Sequence, residues 1–379
     1  MRSVAFVLDS FRLMHIEQFG AVQQALGVGT KVVGIEIFSY NEEYPFGSWR
    51  GDSFLHVNLF SGEDRAKIGM WRAATRIVRQ CLAHRARTVF MSKYERPYIL
   101  VASLILRLLG RRVFVMNDSK FDDYPRFLWR EIGKRMFYSP YQGAIVASPR
   151  SADYLRFLGV NPEKILLHCY TTSLERVRAD AAMPPAPDGT PHDERNFLCV
   201  ARLVSKKNHP VLLAAYARYA AQAKAPRRLI LCGSGPLEAD IQAQIAELGL
   251  TGLVELRGNL GAAEVARELA RGLCLLLPSI EEQYGIVVIE AQAMGLPIIL
   301  TDACGARDLQ VRSGVNGFVV EPANAPGLAY FMHRLAEDEP LWTSMARAAL
   351  SSAETGDTSR FVGSALRLIG APLEAQSQH

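Results

Sequence analysis

The sequence predicts an α/β protein made of two Rossmann-like domains. Three observations lead there. Short apolar, β-branched-rich runs alternate with helical patterns along nearly all of the 379 residues, which is the signature of parallel sheets covered by helices. That length exceeds what one core commonly serves, at roughly 150 residues per domain. Near mid-chain, residues 179–196 read ADAAMPPAPDGTPHDERN, a proline-rich stretch without apolar periodicity that reads as a linker. The expected division is therefore 1–178, a linker at 179–196, and a second domain at 197–354. A last helical segment at 355–379 is expected to cross back to the first domain.

In the first half, strands are expected at residues 4–8, 31–37, 55–59, 89–91, 112–116 and 144–147, with helices at 17–26, 65–84, 98–109 and 127–137. Parallel α/β sheets bind ligands at the carboxyl ends of their strands, so the residues just past each strand are the ones to read. After the first strand comes DSFRLMH. No G-x-G-x-x-G dinucleotide fingerprint stands there. His15 lies where a substrate or a phosphate could be met, against the commoner structural role of a lone histidine. After the fifth strand come Asn117 and Asp118. Asn117 can hydrogen-bond a ligand hydroxyl but cannot act as a general base. Asp118 is either a second ligand contact or a turn cap.

The helical segment 120–135, KFDDYPRFLWREIGKR, spaces Arg126, Arg130, Lys134 and Arg135 along one stripe, with Phe127, Leu128, Trp129 and Phe137 interleaved. The aromatic residues are expected to face the core. The basic stripe has two readings, a solvated face or a contact with an anionic membrane or lipid diphosphate.

Residues 1–172 hold 24 Lys and Arg against 15 Asp and Glu, a net of +9, while the remainder is acidic at −4. A basic first half suits an acidic partner, although a simple solvated basic surface is an equal alternative. Nucleic acid is not expected, since no recognised binding module is present. The hydrophobic fraction of 49% and charged fraction of 21% are those of a folded soluble protein. No apolar run approaches the length that spans a bilayer. The N-terminal MRSVAFVLDSF reads as a first strand broken by Asp9, not a signal peptide. Six cysteines without a C-x-x-C pair read as small buried hydrophobes in a reducing compartment. The expected location is cytoplasmic, with the inner membrane face as an option.

The second half carries the chemistry. Strands are expected at 197–200, 228–232, 253–256, 273–277, 297–300 and 318–320. Arg202 and Lys207 follow the first of these, and two fixed cations at a strand end can grip a diphosphate. Gly233 and Gly235 form a tight turn after the second. Arg257 follows the third. After the fourth, residues 278–300 read PSIEEQYGIVVIEAQAMGLPIIL. Here Glu282 lies in a loop and Glu290 in the helix after it, with Tyr284, Gly285 and Ile286 between. Free N–H groups and the helix dipole near Gly285 favour an anion.

The order Glu282, Tyr284, Gly285, Glu290, Ala291, Gly295, Pro297 resembles the E-x7-E signature of retaining GT-B glycosyltransferases, family 4 (glycosyl transferases group 1). Arg202 and Lys207 match that family's R-x4-K element and Gly233–Gly235 its G-x-G-P turn. There are departures: Asn208 stands where glycine is usual, Cys304-Gly305 replaces Gly-Gly, Asp308 replaces Glu, and Asn117 replaces His. The resemblance implies two domains facing across a cleft, with a nucleotide-diphosphate sugar on the second and a saccharide or lipid-linked acceptor on the first. It implies metal-independent transfer with no cofactor. In that assignment Glu290 holds ribose, Glu282 the donor sugar, and Arg202, Lys207 and the N–H groups near Gly285 the diphosphate. Tyr284, Ile286, Gly233, Gly235 and Arg257 line the nucleotide. Two alternatives stand beside it: a nucleotide-sugar 2-epimerase of the same fold, and a non-catalytic nucleotide-binding subunit.

Overall fold

The computed structural model describes residues 2–38, 52–92, 94–123 and 127–371. The chain divides into two units. The first comprises Met1–Thr172 together with Thr358–His379, and the second Ser173–Asp357. Each is a parallel sheet with helices between its strands.

Unit 1 contains β1 (Arg2–Leu8), β2 (Thr30–Phe38), β3 (Leu55–Phe60), β4 (Ala86–Met91), β5 (Arg112–Asn117), β6 (Ala144–Val146) and β7 (Ile165–Leu166). They lie in the order β3-β2-β1-β4-β5-β6-β7, all parallel, as in the pairing of Val7 with Ile35 on one side and Met91 on the other. β7 escapes the sequence because two residues show no periodicity. The core packs Val7, Ile35, Val89 and Val115 against Ile77 and Leu106 of the covering helices. Burial on both faces explains why these strands read as continuous apolar runs. The helix Thr358–Ile369 belongs to this unit. Its Phe361 lies 6.0 Å from the ring of Phe6, and the Arg112 guanidinium donates to the terminal carbonyls of Leu368 and Ile369. A cation at a helix C-terminus satisfies orphan carbonyls and complements the dipole.

Unit 2 contains β8 (Asn196–Val200), β9 (Leu229–Cys232), β10 (Val254–Gly258), β11 (Gly272–Leu277), β12 (Ile298–Thr301) and β13 (Gly317–Val320), in the order β10-β9-β8-β11-β12-β13. Phe197, Leu231, Leu276, Tyr216 and Trp342 form its centre. In both sheets the strand order reverses beside the first strand, between β1 and β4 and between β8 and β11. Such switch points are where open α/β sheets bind ligands.

Two expectations are corrected. Residues 179–196 are not a linker between the units; they are packed within unit 2. The helix Leu174–Ala181 runs into the segment, Ala186 donates its N–H to Met294, and Arg195 is fully buried. Its guanidinium donates to the carbonyls of Thr190, Asp188, Ala270 and Gly272 and stacks on Trp342. Composition suggested exposure because prolines remove donors, but one arginine supplies donors for four carbonyls. The second correction concerns the helix Leu128–Tyr138. Trp129 and Phe137 do not enter the core: Trp129 is 73% exposed and Phe137 36%. Arg126 of the basic stripe lies outside the described residues.

Candidate functional site

The switch point of unit 2 brings together the loops after β8 and β11. The first loop runs through Arg202 into the short 3-10 turn Ser205–Lys207. Asn208 then adopts φ +58°, a left-handed conformation that asparagine tolerates better than other side chains. That accounts for asparagine replacing the usual glycine. The side chain is also used: its amide donates to the carbonyls of Pro278 at 3.2 Å and Pro322 at 2.8 Å, tying the two loops. Ile280 N–H donates to the Lys206 carbonyl at 2.9 Å. With the backbones joined, the side chains pair in order, Lys206 with Glu281 at 3.7 Å and Lys207 with Glu282 in direct contact. The Lys207 and Glu282 side chains are each 12% exposed, so their fields are screened less than those of a surface pair.

The second loop is held from behind. Gly305 and Ala306 donate to the carbonyls of Glu282 and Tyr284 at 3.1 and 2.8 Å. The Cys304 thiol donates to the Tyr284 carbonyl at 2.9 Å, so the residue that departs from the Gly-Gly pattern serves as a loop fastener. A Cβ on Gly305 would lie 1.9 Å from the Gln283 oxygen. The Tyr284 side chain is buried and accepts from the Gln310 amide; its visible role is to hold the loop. Gly285 has φ +93°, turning the chain into the helix Val287–Ala293 behind Ile286. Glu290 lies in the first turn of that helix. Its carboxylate is 3.7 Å from the Arg176 guanidinium, which also pairs with Asp180 at 2.9 Å. The sequence reading missed Arg176, because it comes from the segment before β8, over 100 residues away.

Behind β9, a Cβ on Gly233 would stand 2.0 Å from the Ala201 oxygen and one on Gly235 2.4 Å from the Leu203 oxygen. Only glycine lets this turn lie against the β8 loop. Arg257 lies within β10 and pairs with Glu255 at 3.1 Å and Glu268 at 3.8 Å. Beside Lys207, His209 is 1% exposed, and burial and then the Lys207 charge lower its pKa to about 4.

Unit 1 presents different chemistry at its own switch point. His15 is a helix-capping residue: its Nδ1 accepts from the Arg12 N–H at 3.0 Å. Burial, and then Arg12, lower its pKa to about 3. It is therefore neutral at physiological pH. Asn117 is buried at the end of β5, its amide directed to the Ser119 carbonyl. Asp118 accepts from the Tyr170 hydroxyl at 2.7 Å. The group the sequence reading overlooked is Asp9, at the end of β1. Its carboxylate accepts from Tyr98 and Arg65, each at 2.8 Å, with Arg96 at 4.0 Å. Its position directly after the first strand was the available signal.

Residues 185–351 match the family model described as glycosyl transferases group 1. The C-terminal unit is a member of that family. The Lys207–Glu282 pair and Glu290 all lie inside the matched segment of this group 1 domain. The chain is 30% identical over 243 residues to D-inositol 3-phosphate glycosyltransferase of Streptomyces bingchenggensis, covering 61% of this chain and 53% of that one. It is 30% identical over 255 residues to the amylovoran biosynthesis glycosyltransferase AmsK of Erwinia amylovora, covering 65% and 57%. The chain thus spans a little over half the length of these relatives. Among solved structures it resembles sucrose-phosphate synthase of Thermosynechococcus elongatus, with a TM-score of 0.73 at 18% identity over 98% of both chains. It also resembles Anabaena HepE in complex with UDP and glucose, at 0.72 and 16% over 97% and 99%. At these identities the structural likeness establishes the fold, the two-unit α/β architecture of GT-B glycosyltransferases. No described helix is long and apolar enough to cross a membrane.

Proposed function

We propose that the chain is a retaining glycosyltransferase that moves a sugar from a nucleotide-diphosphate sugar to an acceptor hydroxyl. The observation that carries the reading is the pairing of Lys207 with Glu282 at the switch point of a group 1 domain. It sets a cation for phosphate beside a carboxylate for sugar hydroxyls. Arg202 and Lys207 hold the diphosphate with the N–H groups around Gly285, Glu282 binds the donor sugar, and Glu290 takes the ribose hydroxyls. Arg176 fixes Glu290 in position. Gly233 and Gly235 let the β9 turn approach the β8 loop behind the nucleotide.

In this scheme the acceptor oxygen attacks the anomeric carbon on the face the diphosphate is leaving. The C–O bond to phosphate breaks with its electron pair on the diphosphate, and the acceptor proton passes to a departing phosphate oxygen. The donor thereby supplies its own base, so Asn117 in place of histidine is no obstacle. Arg202 and Lys207 stabilise the charge that develops on the leaving group, commonly the largest catalytic term. They occupy the role a metal plays in other transferases, and no metal or cofactor enters the scheme. The acceptor is a saccharide or lipid-linked saccharide, and the reaction takes place on the cytoplasmic side.

The test is a thermal-shift panel of UDP-, GDP-, ADP- and dTDP-sugars, followed by product analysis with candidate acceptors. A stabilising donor whose sugar moves to an acceptor with its anomeric configuration kept is the expected result. Binding without transfer or hydrolysis would support a non-catalytic nucleotide-binding subunit, the reading that Asn117 favours. Change of the donor sugar without any acceptor would indicate an epimerase.

A further inference from the structure

The helix Leu128–Tyr138 turns its polar side inward and its apolar side out. Glu131 is buried; its carboxylate accepts from the Tyr154 hydroxyl at 2.5 Å and from the Lys134 ammonium at 2.9 Å. Lys134 also donates to Tyr154 at 3.1 Å. Beside them Tyr138 is buried against Tyr94, ring centres 4.5 Å apart. On the opposite side, Trp129 is 73% exposed, Ile132 64% and Met136 75%. At about 100° per residue these three form one narrow stripe. Phe137 borders it, and Arg130 and Arg135, both exposed, fall on opposite flanks.

Water-facing stripes of this kind mark interaction surfaces. We propose that the stripe docks on an anionic lipid surface, with Trp129, Ile132 and Met136 entering the headgroup–acyl boundary and Arg130 and Arg135 meeting lipid phosphates. Two observations select that occupant. The arginines on both flanks match the snorkelling pattern of interfacial helices, within a half-chain of net charge +9 that anionic lipid attracts. Second, the helix's sole acidic residue, Glu131, is buried in the Lys134–Tyr154 network. A second copy packed face to face would therefore set arginine against arginine with no carboxylate from this helix to offset them.

The experiment is cosedimentation of the full chain with vesicles of phosphatidylcholine alone or mixed with phosphatidylglycerol. It uses neither donor nor acceptor, so its failure would leave the transfer reading untouched. The native chain should bind the mixed vesicles and prefer them to the neutral ones. W129S/I132S/M136S should weaken that binding by about tenfold or more, and R130E/R135E should weaken it comparably, with loss of salt sensitivity. Both variants alter exposed positions and should keep the native melting temperature; should the triple variant fail to fold, the charge reversal alone carries the test. Absence of vesicle binding, or variants that bind like the native chain, would overturn the proposal. A native dimer in sedimentation equilibrium that becomes a monomer in W129S/I132S/M136S would also overturn it, assigning the stripe to self-association.

Discussion

The two sheets reverse strand order at the same place, yet they offer a ligand different things there. In unit 2 the loops after β8 and β11 are tied by Asn208 and the Ile280 N–H and bring Lys207 against Glu282, with Arg202 on the same loop. In unit 1 the loop after β1 is given to helix capping by His15, and the nearby charge, Asp9, is held by Tyr98 and Arg65. A shared topology supplies a location; the residues past each strand decide whether it holds a charged site or a satisfied network. In the proposed reading, a diphosphate demands cations and close backbone approach and so constrains unit 2 to a recognisable pattern, whereas an acceptor carries no such universal demand.

The largest expected contrast between the units is catalytic. Lys207→Ala should lower turnover by two to three orders of magnitude, since a group stabilising leaving-group charge is worth on the order of 3 kcal/mol. Asp9→Asn should leave donor affinity unchanged and act only on the acceptor KM. Steady-state kinetics on both variants checks this, and near-native turnover of Lys207→Ala would remove the lysine from the diphosphate clamp. Next in size is Gly305→Ala. The added Cβ, 1.9 Å from the Gln283 oxygen, must push the Glu282 loop away, at a cost of about 2 kcal/mol. Denaturant unfolding would show the loss, and an unchanged midpoint would mean that the loop yields freely.

Smaller effects follow. Glu290→Ala should weaken nucleotide binding about tenfold through a lost charge-assisted hydrogen bond, and Arg176→Ala less, with kcat nearly kept in both. Calorimetry with the free nucleotide diphosphate decides; equal affinities would exclude Glu290 from the ribose role. The smallest effect contrasts one histidine from each unit. His15 and His209 are held neutral, with pKa values near 3 and 4, below the ordinary value of about 6.5. The unfolded chain takes up their protons first as pH falls. Their contribution is therefore full above about pH 6.5 and declines toward pH 4 and below, by at most ~1.4 kcal/mol per pH unit for each histidine. Urea unfolding at pH 7, 6 and 5 should show that acid limb, and His209→Gln should flatten it. An identical slope in that variant would place the acid sensitivity elsewhere.

Much of this protein is determined locally and is readable from the sequence. Twelve of the thirteen described strands stand out as apolar runs, most plainly β11 and β12, which are buried on both faces and apolar almost throughout. Arg202, Lys207, Glu282 and Glu290 stand out because they are charged residues that closely follow apolar strand ends at the spacing of the group 1 signature. Only the tertiary structure decided what depends on partners distant in sequence. It placed Arg195 under four carbonyls, so that a proline-rich stretch packs within unit 2 instead of separating domains. It brought Arg176 to Glu290 and gave Tyr284 to the interior. It also turned the helix Leu128–Tyr138 around, because Glu131 found Tyr154 on another helix. Periodicity shows that a helix has two faces; which one is buried is set by the side chains waiting beneath it.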